Sequence, residues 1–227
     1  MPTARQFTAG TVSQGTNILK EAVNRVPGLF EAAAGLVGVR PFKQLKVRVV
    51  ILRDEAGKPL ATPAEIVPSL DEAERILALA ANVRLMAADP LIVTVANPAP
   101  LEALNVHCDD GAWQEDFDVA GAYFRRQVAV TGSGRVLGYG APVTVFIVRD
   151  ISNKGGCSLG PLTDYVTLEA KMLDRARHRL LAHEVAHACG LWHSDDKGNL
   201  MYPKGPGAAL TRFQATVLRN SRHVTLL

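Results

Sequence analysis

The stretch His183-Glu184-Val185-Ala186-His187-Ala188-Cys189-Gly190-Leu191-Trp192-His193 constrains this chain more than any other part of it. On a helix, residues four apart share one face, so His183 and His187 can offer two ring nitrogens to a single metal ion. Glu184 lies one position on, at the rim of that face. A carboxylate there can take a proton from a metal-activated water without becoming a ligand itself. His193 cannot share that straight face. The helix must end and the chain must turn back before it, and Gly190 permits the left-handed conformation that such an ending needs. Three neutral imidazoles with a fourth position open describe a catalytic zinc centre rather than a structural one.

The pattern His183-Glu184-x-x-His187-x-x-Gly190-x-x-His193, followed by Met201, resembles the metzincin zinc endopeptidases. Asn199-Leu200-Met201-Tyr202-Pro203 resembles the Met-turn of their matrixin (matrix metalloprotease-like) branch. Close motif identity covers residues 183–203, and the order of elements extends a weaker likeness to about residues 43–222. The resemblance implies an α/β (α+β) catalytic domain with a twisted, mostly parallel sheet, one antiparallel edge strand, an active-site helix and a C-terminal helix. It implies one catalytic Zn2+ on His183, His187 and His193, a peptide or protein substrate, and peptide-bond hydrolysis by a metal-activated water with Glu184 as general base. Met201 is then expected beneath the metal as an apolar floor. Tyr202 and Pro203 are expected along the wall of the pocket for the residue after the scissile bond. Some metzincins carry a tyrosine ligand two positions after the methionine; Pro203 stands there, so none is expected. The same ligands are compatible with two other readings: a zinc-containing protein-binding or toxin-like module with little turnover, and an enzyme acting on a non-peptide amide.

Composition narrows the partners. The net charge of +3, from 25 basic and 22 acidic residues, is too small to imply nucleic acid or a membrane surface as partner. No apolar run is long enough to span a bilayer. The first residues, Met-Pro-Thr-Ala-Arg-Gln-Phe, lack the basic-then-apolar layout of a secretory signal, although the family resemblance favours an extracellular setting. A monomer is expected. Three cysteines leave at least one without an intramolecular partner. A Cys157–Cys189 bridge is one reading, and small buried thiols are the favoured one.

Along the chain, residues 1–42 read as an N-terminal helical appendage, with apolar residues at helical spacing from Ile18 to Val26, ahead of a peptidase-like domain over 43–227. A strand is expected over Leu45–Arg53. Ser69-Leu70-Asp71-Glu72 reads as a capping box opening a helix to about Met86, and Leu91–Ala96 as a second strand parallel to the first. The acidic stretch 105–118 offers Asp109, Asp110, Glu115 and Asp116 as oxygens for Ca2+. Its spacing fits no EF-hand loop, so a solvated acidic loop is the preferred reading. Tyr123–Val130 is weakly strand-like, and the Gly-rich stretch 131–140 reads as a loop. Val143–Val148 suits a strand buried on both faces. Residues 153–161 read as a long turn and Tyr165–Leu168 as a short strand. The stretch 155–168 is the candidate edge for an extended substrate, an assignment that rests on the resemblance. Asp174–Ala188 is the expected active-site helix, with Arg175, Arg177 and Arg179 facing solvent and His178 off the ligand face. Asp195 or Asp196 could hydrogen-bond His193. Ala208–Ser221 is the expected closing helix.

Overall fold

The computed structural model describes residues 41–108, 118–128, 139–173 and 178–226. Its central strand, β1 (Lys43–Ile51), lies between parallel neighbours β2 (Val83–Thr94) and β4 (Val143–Val148). β7 (Tyr165–Glu169) continues the parallel sheet beside β4, and β6 (Gly156–Ser158) runs antiparallel to β7 at the edge. The strand order is therefore β2-β1-β4-β7-β6, the mostly parallel α/β sheet with an antiparallel edge expected from the sequence. A short C-terminal strand, β8 (Val224–Leu226), also pairs antiparallel with the start of β1. β3 (Asn105–Val106) and β5 (Asp150–Ile151) form a separate parallel pair. The helices are α1 (Pro63–Ala81), α2 (Leu101–Leu104), α3 (Val119–Gln127), α4 (Arg179–Ala188) and α5 (Arg212–Arg219).

The two-residue period of the strands sorts the core into two layers. Val47, Val49 and Ile51 of β1 face a cluster built with α1, α4 and α5. Val50 and Leu52 face the opposite cluster, with α2 and α3. β4 divides in the same way, Val143, Val145 and Ile147 against Phe146 and Val148, so all six of its residues are buried. Phe124 of α3 closes the second layer, its ring 4.6 Å from Phe146 and 5.3 Å from Tyr165.

Several elements depart from the sequence reading for identifiable reasons. α1 begins at Pro63, not at Ser69. Thr62 is its N-cap, and Glu65 reaches back to the Thr62 N–H at 2.7 Å. Proline at the first helical position leaves nothing unsatisfied that was not already so, and Pro68 sits inside the helix. The helix stops at Asn82, in the left-handed conformation with φ 55°, so β2 starts at Val83 rather than at Leu91. β2 slips register between Ala87 and Ile92, where Pro90 has no N–H to give the ladder. Of the weakly strand-like stretch 123–130, residues 123–127 are helical instead: Asp118 caps α3 by accepting from the Gly121 N–H at 2.9 Å. The expected turn 153–161 contains β6. Within the candidate substrate edge 155–168, only β6 is at the edge; Tyr165–Leu168 lies inside the sheet. Both cysteine readings are corrected: Cys157 pairs with Cys108, not with Cys189, and of the three cysteines expected as buried thiols only Cys189 is one. Cys157 and Cys189 lie in the two different clusters, on opposite sides of the sheet. The expected appendage up to residue 40, the acidic residues 109–117, the loop residues 129–138 and residues 174–177 lie outside the described residues. No helix among the described residues is long and apolar enough to cross a membrane.

Two predictions concern the scaffold. The Cys108–Cys157 bridge joins residues 49 apart, so replacing both with serine should lower stability by about 4 kcal/mol on the chain-entropy estimate. Urea denaturation of the oxidised protein and of the variant measures this, and coincident midpoints would refute it. The second concerns His223, which is buried, donates Nδ1–H to the Ala141 carbonyl at 2.8 Å and has Asp164 3.9 Å from Nε2. Desolvation, then the charge of Arg222, push its pKa down from 6.5 to about 4, against the opposing pull of Asp164 and Ala141. The unfolded chain takes up this proton near pH 6.5, so the stability contributed by neutral His223 is full above that pH and is lost as pH falls towards 4. His223→Gln should flatten the dependence of stability on pH across that window. An unaltered slope would assign it to other groups.

Candidate metal centre and active site

α4 carries the first two candidate ligands. Its apolar side, Leu181, Ala182, Val185 and Ala186, is buried in the first cluster, which turns His183 and His187 along the adjoining face. The helix ends as the sequence requires. Gly190 takes φ 91°, its N–H reaches the His187 carbonyl at 2.8 Å, and the Leu191 N–H reaches Ala186 at 3.1 Å. That ending folds the chain back and brings in His193.

The three imidazoles converge. His183 Nδ1 donates to the Leu200 carbonyl at 2.8 Å, and His187 Nδ1 donates to the Leu191 carbonyl at 2.7 Å. Each proton is thus committed to the backbone, and each Nε2 points its lone pair inward. His187 Nε2 lies 3.1 Å from His183 Nε2 and 3.2 Å from His193 Nε2. These separations are close to the edge, roughly 3.4 Å, of a tetrahedron around an ion about 2.1 Å from each nitrogen. Burial pushes the His183 pKa down to about 4 and the His187 pKa down to about 3, and it also lowers that of His193. Neutral rings with facing lone pairs cannot hydrogen-bond to one another, so the donor set fits a cation. Among the described residues, this is the one group of three or more histidine, cysteine or acidic side chains placed to hold a metal ion.

Glu184 is more enclosed than a rim position suggests. It is 4% exposed and packs against the edge strand: a Cβ on Gly156 would lie 2.5 Å from Glu184 Oε1. β6 therefore needs glycine at 156. Desolvation drives the Glu184 pKa up to about 8, with Lys154 and Arg179 pulling the other way. The buried carboxyl is disposed to hold a proton next to the three imidazoles.

The turn after His193 is built from several directions. Met201 is fully buried in the first cluster, its N–H held by Asn199 Oδ1 at 2.9 Å and its carbonyl by the Ser194 N–H at 3.0 Å. Asn199 Nδ2 donates to Gln214 Oε1 at 2.7 Å, so the residue that closes the α5 capping box with Thr211 also fixes this turn. Arg179 does not face solvent. It is half-buried at the start of α4 and donates to the carbonyls of Leu200 at 2.7 Å, Tyr202 at 2.7 Å and Gly207 at 3.3 Å. Tyr202 is half-buried, with its ring where a side chain on Gly205 would sit, and Pro203 is exposed. Neither Asp195 nor Asp196 bonds His193: Asp196 Oδ1 accepts from the Gly198 N–H at 2.9 Å, and Asp195 is exposed. His178 stays off the cluster, its Nε2 3.2 Å from the Leu173 carbonyl.

Gly156, Arg179, Asn199 and Gln214 support the cluster through contacts that the sequence reading does not assign to them. Gln214 alone had a readable signal, the Thr211-x-x-Gln214 pattern. The other three act through contacts distant in the chain.

No family model matches the sequence, and no curated protein matches it. Solved structures do. Metalloproteinase-II from Bacteroides fragilis is similar with 11% identity over 81% of this chain and 55% of that one, at a TM-score of 0.46. A zinc-dependent peptidase from Methanocorpusculum labreanum is similar with 15% identity over 78% of this chain and 94% of that one, at a TM-score of 0.41. The present chain thus spans about half the length of the Bacteroides protein.

Arg179 gives the site its prediction. Arg179→Met removes donors from three carbonyls, one of which, Leu200, also orients His183. Zinc affinity should fall roughly 10- to 100-fold, as for other loss of support to a ligand. Competition against a chromophoric chelator reads this directly, and wild-type affinity would show that the turn holds itself.

Proposed function

We propose that residues 43–227 form a zinc-dependent endopeptidase of metzincin type, in its matrixin-like branch, hydrolysing peptide bonds with Glu184 as general base. The observation that carries this reading is the convergence of three neutral Nε2 atoms, 3.1 and 3.2 Å apart, beside a buried carboxyl. His183, His187 and His193 would hold the metal. Bound there, zinc supplies the positive charge that acidifies a water molecule and polarises a peptide carbonyl.

The chain's own groups do the rest. Glu184 accepts a proton on its carboxylate and delivers it to the leaving amine. Its desolvated setting favours uptake, and the lack of a side chain at Gly156 leaves room for the carboxyl beside the edge strand. β6 offers the outward main-chain groups of an edge, to which an extended peptide can add as a further strand. Met201 provides an apolar floor, and Tyr202 with Pro203 lines the wall on the leaving-group side. The Cys108–Cys157 disulfide supports an oxidising, extracytoplasmic setting.

Glu184→Ala tests the reading. The variant should bind zinc in the wild-type ratio while cleavage of a quenched peptide library falls by at least about a thousandfold. Zinc bound with no peptide cleaved by the wild type would favour a binding module instead. Undiminished cleavage by the variant would remove Glu184 from the mechanism.

A further inference from the structure

The strand offered to a peptide is too short to fix its own position. β6 pairs with β7 only through Gly156–Leu168, Cys157–Thr167 and Ser158–Val166. Its entry is held where the Glu169 N–H donates to the Gly155 carbonyl at 2.9 Å. Its exit is held by a residue from the far end of the chain. Arg222 is fully buried in the connection between α5 and β8. Its Nη2 donates to the carbonyls of Pro161 at 3.2 Å and Thr163 at 3.1 Å, and its Nη1 donates to Asp164 Oδ1. All three acceptors lie in the turn between β6 and β7. That turn packs against α4: Gly160 takes φ 65°, and a Cβ there would lie 3.9 Å from the His187 carbonyl. The turn that carries Met201 is reached from the same stretch of chain, because Gln214 at the start of α5 bonds Asn199. Residues 214–222 thus tie together two segments around the histidine cluster, one adjoining His183 through the Leu200 carbonyl and the other adjoining His187.

We propose that Arg222 is a positioning residue of the substrate edge: it sets where β6 lies against α4, and with it the row of main-chain groups that an extended peptide meets. The inference rests on the peptidase reading above and concerns placement rather than the chemical step. A guanidinium is costly to bury, but its planar fork serves two carbonyls and a carboxylate at fixed angles, which an ammonium cannot do. Arg222 is itself enclosed by protein, so it acts through the 161–164 turn and not by touching the peptide. A peptide that adds as a strand is held by main-chain hydrogen bonds, and these weaken steeply with misalignment. Releasing the exit of β6 loosens them in the bound ground state and the transition state alike, which raises KM and leaves kcat.

The test uses the full zinc-loaded chain and a quenched decapeptide. Arg222→Lys keeps a cation for Asp164 and gives up the fork. It should raise KM on the order of tenfold, the equivalent of one or two main-chain hydrogen bonds, with kcat within about twofold of wild type and zinc affinity unaltered. Asp164→Asn, which removes the charged anchor of the guanidinium, should move KM in the same direction, and it decides the question should Arg222→Lys fail to take up zinc. Ile76→Val in α1 is the control: it weakens the core away from the 161–164 turn and should leave KM alone. Amide hydrogen exchange at Cys157 and Ser158 should quicken in Arg222→Lys more than in the control. Anisotropy of the same decapeptide, fluorophore-labelled, on the zinc-loaded Glu184→Ala protein, with and without Arg222→Lys, reads the edge without turnover. Cleavage by wild type with an unchanged KM in the Arg222 and Asp164 variants overturns the inference and leaves the proposed function standing. An equal rise of KM in Ile76→Val also overturns it, since the effect is then one of stability alone. So does a fall in kcat at constant KM, which would place the influence of Arg222 on the metal cluster instead of the edge. Binding that weakens through Arg222→Lys, with no cleavage by the wild type, overturns the proposed function and leaves the inference standing.

Discussion

The hydrogen bond from His183 Nδ1 to the carbonyl of Leu200 joins α4 to the turn that follows it, and several other contacts hold that carbonyl in place. Arg179 binds the same oxygen from the first turn of α4. Asn199 braces the turn from within, and Gln214 ties it to α5. α5 is fastened in turn through Arg219, which donates to the carbonyls of Ala81 and Asn82 where α1 ends. A single neutral hydrogen bond contributes only about 1 kcal/mol to stability, so none of these links is important for its strength. They fix a tautomer. With Nδ1–H committed to the backbone, Nε2 of His183 must present a lone pair, and the Leu191 carbonyl imposes the same choice on His187.

The site was legible in the sequence to the extent that its chemistry is local. The spacing of His183 and His187 follows from helical geometry, and Gly190 announces the left-handed ending that delivers His193. The buried strand β4 was equally plain, because six apolar or β-branched residues in a row suit a sheet covered on both faces. The illegible parts depend on pairings across the chain. Nothing near Arg179 says that it will meet carbonyls more than twenty residues away. Gly156 reads as a turn residue until Glu184 is seen filling the space of its missing side chain. Local signals also misled where two competed. Ser69 and Glu72 mimic a cap inside a helix that Thr62 and Glu65 already start, and the aromatic and β-branched residues of 123–130 suggested a strand that the Asp118 cap overrides.

The disulfide shows how sheet layering decides chemistry at a distance. Cys157 and Cys189 both flank the site in sequence, yet the sheet separates them, and the side-chain alternation of β6 turns Cys157 towards the α3 layer, where Cys108 waits. The glycine beside it abuts Glu184. One three-residue strand therefore anchors to one layer while making room for a buried carboxyl in the other.

That room has a thermodynamic consequence. Desolvation holds Glu184 protonated far above the ordinary carboxylate range and holds the imidazoles neutral far below theirs. Both shifts have one cause, a site short of water that penalises charge of either sign. Such a site is unfavourable for the chain alone: three lone pairs face one another, and a carboxyl is buried beside them. A divalent cation held by the three nitrogens would relieve both conditions together, and would lower the proton affinity of the carboxyl beside them. The same desolvation that makes the empty arrangement costly makes the charge of a bound ion act strongly on whatever lies next to it. The fit of the three nitrogens to a cation and the raised proton affinity of Glu184 therefore share one physical origin, the burial of the space between α4 and the edge strand.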